Sequence, residues 1–186
     1  KIFILIHGDE ILDLSFCKKK VFCFLLKLKN ISLIANSTAV SNIIFNHFGI
    51  KPDYVCYPFV KTRISTNSLP DRKKKGEEYI FFTVTRLVER KNVESVIEAL
   101  AELRKKGMNF KYYIGGIGSQ YEVLLKRIQD LRLHDHVFLL GRISEKVKAE
   151  YLCRADLFLL PSLYVEQKGS IEGYGIVFIE ANAYGV

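Results

Sequence analysis

Two carboxylates, Glu172 and Glu180, bracket the run Glu172-Gly-Tyr-Gly-Ile-Val-Phe-Ile-Glu180 near the end of the chain. Gly173 and Gly175 permit a tight turn that brings backbone close to a ligand. The amides of Tyr174, Gly175 and Ile176 would then open a helix, where unpaired N–H groups and the helix dipole favour an anion. Glu172 falls in the loop before that anion site. Glu180 falls about one turn inside the helix, on the face carrying Ile176. The arrangement suits a ligand with a diphosphate in the middle and hydroxyls at both ends, which is the layout of a nucleotide sugar.

Other residues could serve the same ligand. Arg86 and Lys91 lie in Thr85-Arg-Leu-Val-Glu-Arg-Lys91, just after an apolar run. Arginine can grip a diphosphate through its planar fork and lysine as a point charge, although a solvated basic loop has the same composition. Gly115-Gly-Ile-Gly118 is a weak phosphate-loop signal by itself. Gly116 is read as shaping a strand-to-helix turn near the donor. Asp9 and Glu10, which follow His7 and Gly8, could meet an acceptor or cap a helix.

These residues need strand ends to hold them, and the sequence supplies a β/α alternation. Strands are expected at 79–85, 110–114, 137–140 and 157–160. The intervening helices are marked by Val93, Val96, Ile97, Leu100 and Leu103, then by Tyr121, Leu124, Leu125, Ile128 and Leu131, and then by 144–154. Asn92 is expected to cap the first of these helices, and Gly107 to close it. Arg86, Gly116, Arg142 and Glu172 all follow expected strands, and ligands of parallel sheets bind at that edge. Upstream, strands at 2–6, 31–35 and 54–57 alternate with helices near 16–29 and after Thr38. The 16–29 segment reads as a core helix with a solvated basic face, with a membrane-surface helix as the alternative. Residues 61–78 are polar and read as a linker.

The blocks Ala155-Asp-Leu-Phe-Leu-Leu-Pro-Ser162, Glu172–Glu180 and Ala181-Asn-Ala-Tyr-Gly185 together resemble the donor-site signature of retaining family-4 glycosyltransferases of the GT-B type. Thr85–Lys91 resembles that family's "GRL-x-x-x-K" segment, and Phe138-Leu-Leu-Gly-Arg-Ile143 its "flGrv" block. The likeness runs over roughly residues 31 to 186. It departs at Ile117 and Ser119, where the family usually shows "GdGp".

The resemblance implies an α/β fold with a Rossmann-like parallel sheet and helices on both faces. This donor-binding domain would occupy 79–186, behind a partial acceptor-side Rossmann-like domain at 1–60 and the linker. It implies transfer of a sugar from a nucleotide-diphosphate sugar to a hydroxyl with retention, in cell-surface glycan or glycolipid synthesis. Arg86, Lys91 and the amides around Tyr174–Ile176 would stabilise the leaving diphosphate. Glu172 would hold the donor sugar and Glu180 the ribose, and the backbone at Ile143 would meet the base. His7, in a loop like the family's "hG-x-[DE]", would face the reacting sugar. No cofactor and no metal is expected, since no Asp-x-Asp motif is present. The acceptor is expected to be lipid-linked or an oligosaccharide. The family's chains are roughly twice as long, so the chain reads as an internal fragment, inactive by itself. A nucleotide-sugar epimerase, a phosphorylase or a non-catalytic nucleotide-binding fragment are the alternatives.

Composition narrows the partners. The chain has 186 residues and a net charge of +8, with its basic residues spread and no nucleic-acid motif, so nucleic acid is not an expected partner. An anionic donor and peripheral contact with an anionic membrane account for the charge better. The four cysteines lack metal or redox spacing, and no apolar run reaches a membrane span or forms a signal peptide. A cytoplasmic protein, peripheral at the inner face of the membrane, is the expected setting.

Overall fold

The computed structural model describes residues 1–7, 14–26, 28–60, 78–163 and 174–186. Asp9, Glu10, Glu172, Gly173 and all of the expected linker except Glu78 lie outside the described residues. The chain divides into two compact units, Lys1–Val60 with Tyr164–Ile176, and Lys61–Leu163 with Val177–Val186.

In the first unit, strands β1 (Ile2–Ile6), β2 (Ile31–Ala35) and β3 (Tyr54–Val55) form a parallel sheet in the order β1-β2-β3. Helices α1 (Phe16–Leu25) and α2 (Thr38–Phe48) make the crossovers that parallel pairing demands. Helix α1 stops short of the expected 16–29. Ser37 begins α2 by accepting a hydrogen bond from the Val40 amide at 3.1 Å, and Gly49 ends it in a left-handed conformation. The core is small: Ile6, Leu33, Ala35, Val40 and Ile44 are buried, with Phe22, Leu26 and Phe48 packed on them.

In the second unit, four parallel strands run in the order β6-β5-β4-β7. They are β4 (Tyr79–Val84), β5 (Phe110–Gly115), β6 (Val137–Gly141) and β7 (Leu157–Phe158). Helices α3 (Val93–Lys105), α4 (Tyr121–Asp130), α5 (Glu145–Arg154) and α6 (Ile176–Ala183) accompany them. The period-two alternation of each strand sorts its side chains into two cores. Phe81, Phe110, Tyr112 and Ile114 pack against Val96, Ile97, Leu124 and Ile128 of α3 and α4. Phe82, with Ile80, Val84 and Tyr113, packs on the opposite layer against Leu152 of α5 and Ala181 of α6. Both faces of the sheet are therefore covered. The chain steps from β4 to β5 to β6 and then returns to the far side of β4 at β7. That reversal makes a topological switch point at the carboxyl ends of the strands.

Two polar devices fasten this sheet. Thr83 and Tyr112 are fully buried. The Thr83 hydroxyl donates to the Leu159 carbonyl and shares a 2.7 Å hydrogen bond with the Tyr112 phenol. Burial pushes that phenol's pKa far up, against a smaller lowering by the Thr83 bond. Asp156 accepts from the Ile80 amide at 2.6 Å, and its own amide donates to the Ile80 carbonyl, so β7 is pinned beside β4 from its first residue.

Two expectations change. Asn92 does not cap α3 with its side chain. It adopts φ 51° and closes the preceding 3₁₀ turn, Glu89–Lys91, by donating its amide to Glu89, a left-handed role that asparagine tolerates. Leu125 lies about 100° round α4 from Leu124 and is 37% exposed, outside the core face.

Gly116 has φ 143°, and a Cβ there would stand 1.8 Å from the Thr85 carbonyl oxygen, whereas Gly107 has φ 87° with open space around it. Gly116→Ala should cost at least ~2 kcal/mol because backbone must move, and Gly107→Ala only ~1 kcal/mol of conformational strain. Urea denaturation of both variants is the check, with the larger loss expected at Gly116.

Candidate functional site

The switch-point edge carries a cavity of about 300 Å³, lined by Arg86, Gly116, Arg142, Ile143, Glu145 and Lys148, with Val84, Thr85, Ile117 and Val177 completing the wall. That volume is at the low end of the roughly 300–1,000 Å³ common for small-molecule pockets.

Each residue arrives there for a local reason. Arg86 follows the last residues of β4, where the Thr85 amide donates to the Gly115 carbonyl at 3.0 Å and the Leu87 amide to the Ile117 carbonyl at 2.9 Å. The loops after β4 and β5 are thus zipped backbone to backbone. Gly116 and Gly118 allow this approach, since a Cβ on Gly118 would come within 2.2 Å of the Leu87 carbonyl oxygen. The glycine run therefore shapes the turn, as its sequence suggested. Gly141, at φ 67° and paired with Gly115 across a register shift, turns the chain so that Arg142 and Ile143 reach the cavity. Ser144 then starts α5 by accepting from the Val147 amide at 3.3 Å, which places Glu145 and Lys148 one helical turn apart.

Lys148 was not anticipated. Its side chain is 14% exposed, and its Nζ lies 2.8 Å from Glu180 Oε1 and 2.7 Å from Glu145 Oε2. Burial lowers its pKa, but the hydrogen bonds and charges of Glu145 and Glu180 outweigh this, for a net rise. The Glu145–Lys148 spacing was visible in the sequence as a helical i,i+3 pair. The partner 32 residues further on was not. Glu180, half-buried on α6, is joined through Lys148 to the wall that holds Arg86 and Arg142.

The remaining candidates are distributed. Lys91 ends the 3₁₀ turn and is buried, outside this lining. Gly175 is buried at φ 69°, while Ile176 is exposed and its neighbour Val177 lines the cavity. Tyr174 is grouped with the first unit, its ring 5.4 Å from that of Tyr57. His7 also belongs to that unit. It is exposed, and its carbonyl accepts from Asn36 Nδ2 at 3.1 Å. Glu172 and Gly173 lie outside the described residues.

With Arg86, Arg142 and Lys148 against Glu145 and, behind Lys148, Glu180, the site keeps a small excess of positive charge, which favours an anion. A second cavity of about 210 Å³ beside the 3₁₀ turn is lined by Glu89 and Glu94 with no cation, so it lacks that property.

A parallel sheet with helices on both faces and a switch-point cavity defines a Rossmann-like α/β class, and comparison with known proteins gives the family. The family model described as "Glycosyl transferases group 1" matches residues 65–186, and the chain belongs to that family. It is 38% identical over 104 residues to the amylovoran biosynthesis glycosyltransferase AmsK of Erwinia amylovora, covering 56% of this chain and 25% of that one. It is 32% identical over 118 residues to a Mycobacterium tuberculosis GDP-mannose-dependent alpha-(1-6)-phosphatidylinositol monomannoside mannosyltransferase, covering 63% and 31%. The chain thus spans about a quarter to a third of the length of the curated relatives it matches. A crystal structure of S. aureus TarM superimposes with a TM-score of 0.72 at 24% identity, over 96% of this chain and 34% of that one. The lipopolysaccharide outer core galactosyltransferase WaaB gives 0.64 at 18% identity, over 99% and 54%. These neighbours share the GT-B fold.

Lys148→Gln should cost about 1 kcal/mol of stability, because it leaves Glu180 partly buried without its cation. The Lys148 pKa is raised on folding, so this contribution is complete below the ordinary lysine range and disappears as pH rises above it. Denaturation at neutral pH and at strongly alkaline pH should show the wild-type advantage shrinking in the second case.

Proposed function

We propose that the protein is a retaining glycosyltransferase, using a nucleotide-diphosphate sugar and a hydroxyl acceptor that is lipid-linked or an oligosaccharide. The observation that carries this reading is the cationic cavity at the switch point, lined by Arg86, Arg142 and Lys148, with Glu180 bonded to Lys148. The name of the mycobacterial relative gives a GDP-mannose donor and a phosphatidylinositol mannoside acceptor for that protein, which supports a nucleotide sugar and a lipid-linked acceptor here.

In this mechanism the bond from the anomeric carbon to the diphosphate oxygen breaks, and the acceptor oxygen bonds to that carbon on the same face. The acceptor proton passes to the departing diphosphate. Arg86 and Lys91, with the amides around Tyr174–Ile176, stabilise the charge developing on the leaving group, so fixed protein cations do the electrostatic work and no metal or cofactor takes part. Gly116 lets the backbone approach the phosphates, and the backbone at Ile143 borders the base. Glu180, held by Lys148, takes the ribose hydroxyls. Glu172 with Gly173 takes the donor sugar, and His7 faces that sugar from the acceptor side. The reaction is placed on the cytoplasmic side, at the inner face of the membrane, in glycan or glycolipid synthesis. No helix among the described residues is long and apolar enough to cross a membrane.

Calorimetric titration with UDP, GDP and ADP tests the donor half of the proposal. One of the three should bind, more weakly at high salt, and Arg86→Gln should lower its affinity about tenfold through loss of a charge-assisted contact. Glu180→Gln should weaken bare nucleotide too, whereas Glu172→Gln should spare it and reduce turnover in a full-length enzyme. Absence of binding by all three nucleotides would refute the assignment. The 186-residue chain alone is expected to bind donor without transferring sugar, and robust transfer to lipid or oligosaccharide acceptors by the purified chain would overturn that part.

A further inference from the structure

Helices α5 and α6 are joined by a lysine held between two carboxylates in very different surroundings. Lys148 Nζ lies 2.7 Å from Glu145 Oε2 and 2.8 Å from Glu180 Oε1. The Glu145 side chain is 88% exposed, so solvent screens its pairing and the lysine gains little there. The Glu180 side chain is 18% exposed and that of Lys148 14%, so theirs is the sheltered bond. Lys148 lines the switch-point cavity. So does Val177, which stands three residues before Glu180 and therefore on the same face of α6.

The pair uses only half of the Glu180 carboxylate. Its Oε1 is taken by Lys148, whereas Oε2 has no hydrogen bond to any described residue. An ionised carboxylate only accepts, so the free oxygen needs a donor. Adjacent hydroxyls supply donors, and phosphate oxygens do not. Arg86 and Arg142 in the same lining suit phosphates, and Glu180 suits a diol. A glutamate side chain has several rotatable bonds, and a ligand that must fix them itself binds more weakly. Lys148 fixes them beforehand, from a helix already packed on the sheet through Leu152.

We infer that Lys148 is a positioning residue that sets selectivity for the ribose diol. It orients Glu180 so that Oε2 accepts from the ribose hydroxyls, and a donor lacking one of them is disfavoured. The inference rests on the assignment of Glu180 to the ribose made above, and it names the residue, 32 positions away, that decides how well this carboxylate works. Lys148 also offsets the negative charge of Glu180 beside an incoming diphosphate. That second effect acts on ribose and deoxyribose donors alike, so a ratio of affinities isolates the first.

Calorimetry of the 186-residue chain with UDP, GDP and ADP, each beside its 2′-deoxy counterpart, is the test. The nucleotide that binds should do so about tenfold more tightly than its deoxy form, the effect of one hydrogen bond to a charged group. Lys148→Gln should weaken the ribonucleotide about tenfold and the deoxynucleotide only about threefold, so the preference falls to about threefold. Lys148→Arg, which retains the charge and the donors, should keep the full preference. Glu180→Gln should also reduce it, and adding Lys148→Gln to that variant should reduce it no further, since residues that act as a unit are not additive. Lys148→Met keeps the sheltered stem and should repeat the result of Lys148→Gln, and circular dichroism confirms that each variant keeps its helices. An undiminished preference in Lys148→Gln and Lys148→Met would overturn the inference, placing the lysine on the diphosphate or in the fold alone. A wild type indifferent to the 2′-hydroxyl would overturn it together with the role of Glu180. Absence of binding by all three ribonucleotides would remove the donor reading and the inference with it.

Discussion

The second unit is organised around one steric constraint, the contact of the Gly116 backbone with the carbonyl of Thr85. No side chain larger than hydrogen fits between them. Because they touch, the loops after β4 and β5 are zipped by the Thr85–Gly115 and Leu87–Ile117 hydrogen bonds. Those loops then present Arg86 and Gly116 on one wall. The Gly116 amide also donates to the Gly141 carbonyl at 2.7 Å, which draws in the end of β6 and with it Arg142 and Ile143. Three strand ends are thereby held by backbone alone, leaving their side chains for a ligand.

The cavity's charge is arranged with equal economy. Arg86 and Arg142 supply positive potential from loops, where guanidinium groups are held by well-fixed backbone. Lys148 is different, because it stands on a helix between two carboxylates and is mostly withdrawn from water. A carboxylate as sheltered as Glu180 would otherwise lose solvation without compensation. Lys148, itself in the cavity lining, supplies that compensation and fixes the direction of the carboxylate. Glu145, far more exposed, acts mainly on Lys148 itself.

Each unit uses the same kind of fastening within its own sheet. Asp156 ties β7 to β4, and Asp53 ties the β3 end of the first sheet to β2, each carboxylate accepting a neighbouring strand's amide. Strands of two residues have few ladder bonds, so an added side-chain bond matters most there. The units differ in burial. The second has cores on both faces of its sheet, whereas the first leaves Ile2, Phe3 and Leu5 of β1 between 47% and 57% exposed.

Much of this was legible in the chain itself. Alternating apolar residues in β4 and β5, the i,i+3,i+4 pattern of α3 and the glycines after β5 specify local geometry through period and backbone freedom, which are properties of short segments. The family blocks around Arg86, Ile143 and Glu180 were legible for the same reason, since each is contiguous. The structure was needed wherever partners are distant in sequence. The Lys148–Glu180 pair, the Thr83–Tyr112 hydroxyls at the Leu159 carbonyl, and the Asp156 clamp on Ile80 all join segments many residues apart, and no local pattern encodes them. Asn92 stands at the N-cap position of α3 as expected, yet its left-handed backbone also closes the preceding 3₁₀ turn and its side chain makes no capping bond. The outward face of α1 looked merely basic because lysines dominate its sequence. Only the packing of Phe22 and Leu26 inward decided that Val21 and Phe24 must point out, because one helix cannot bury both faces in a core this small.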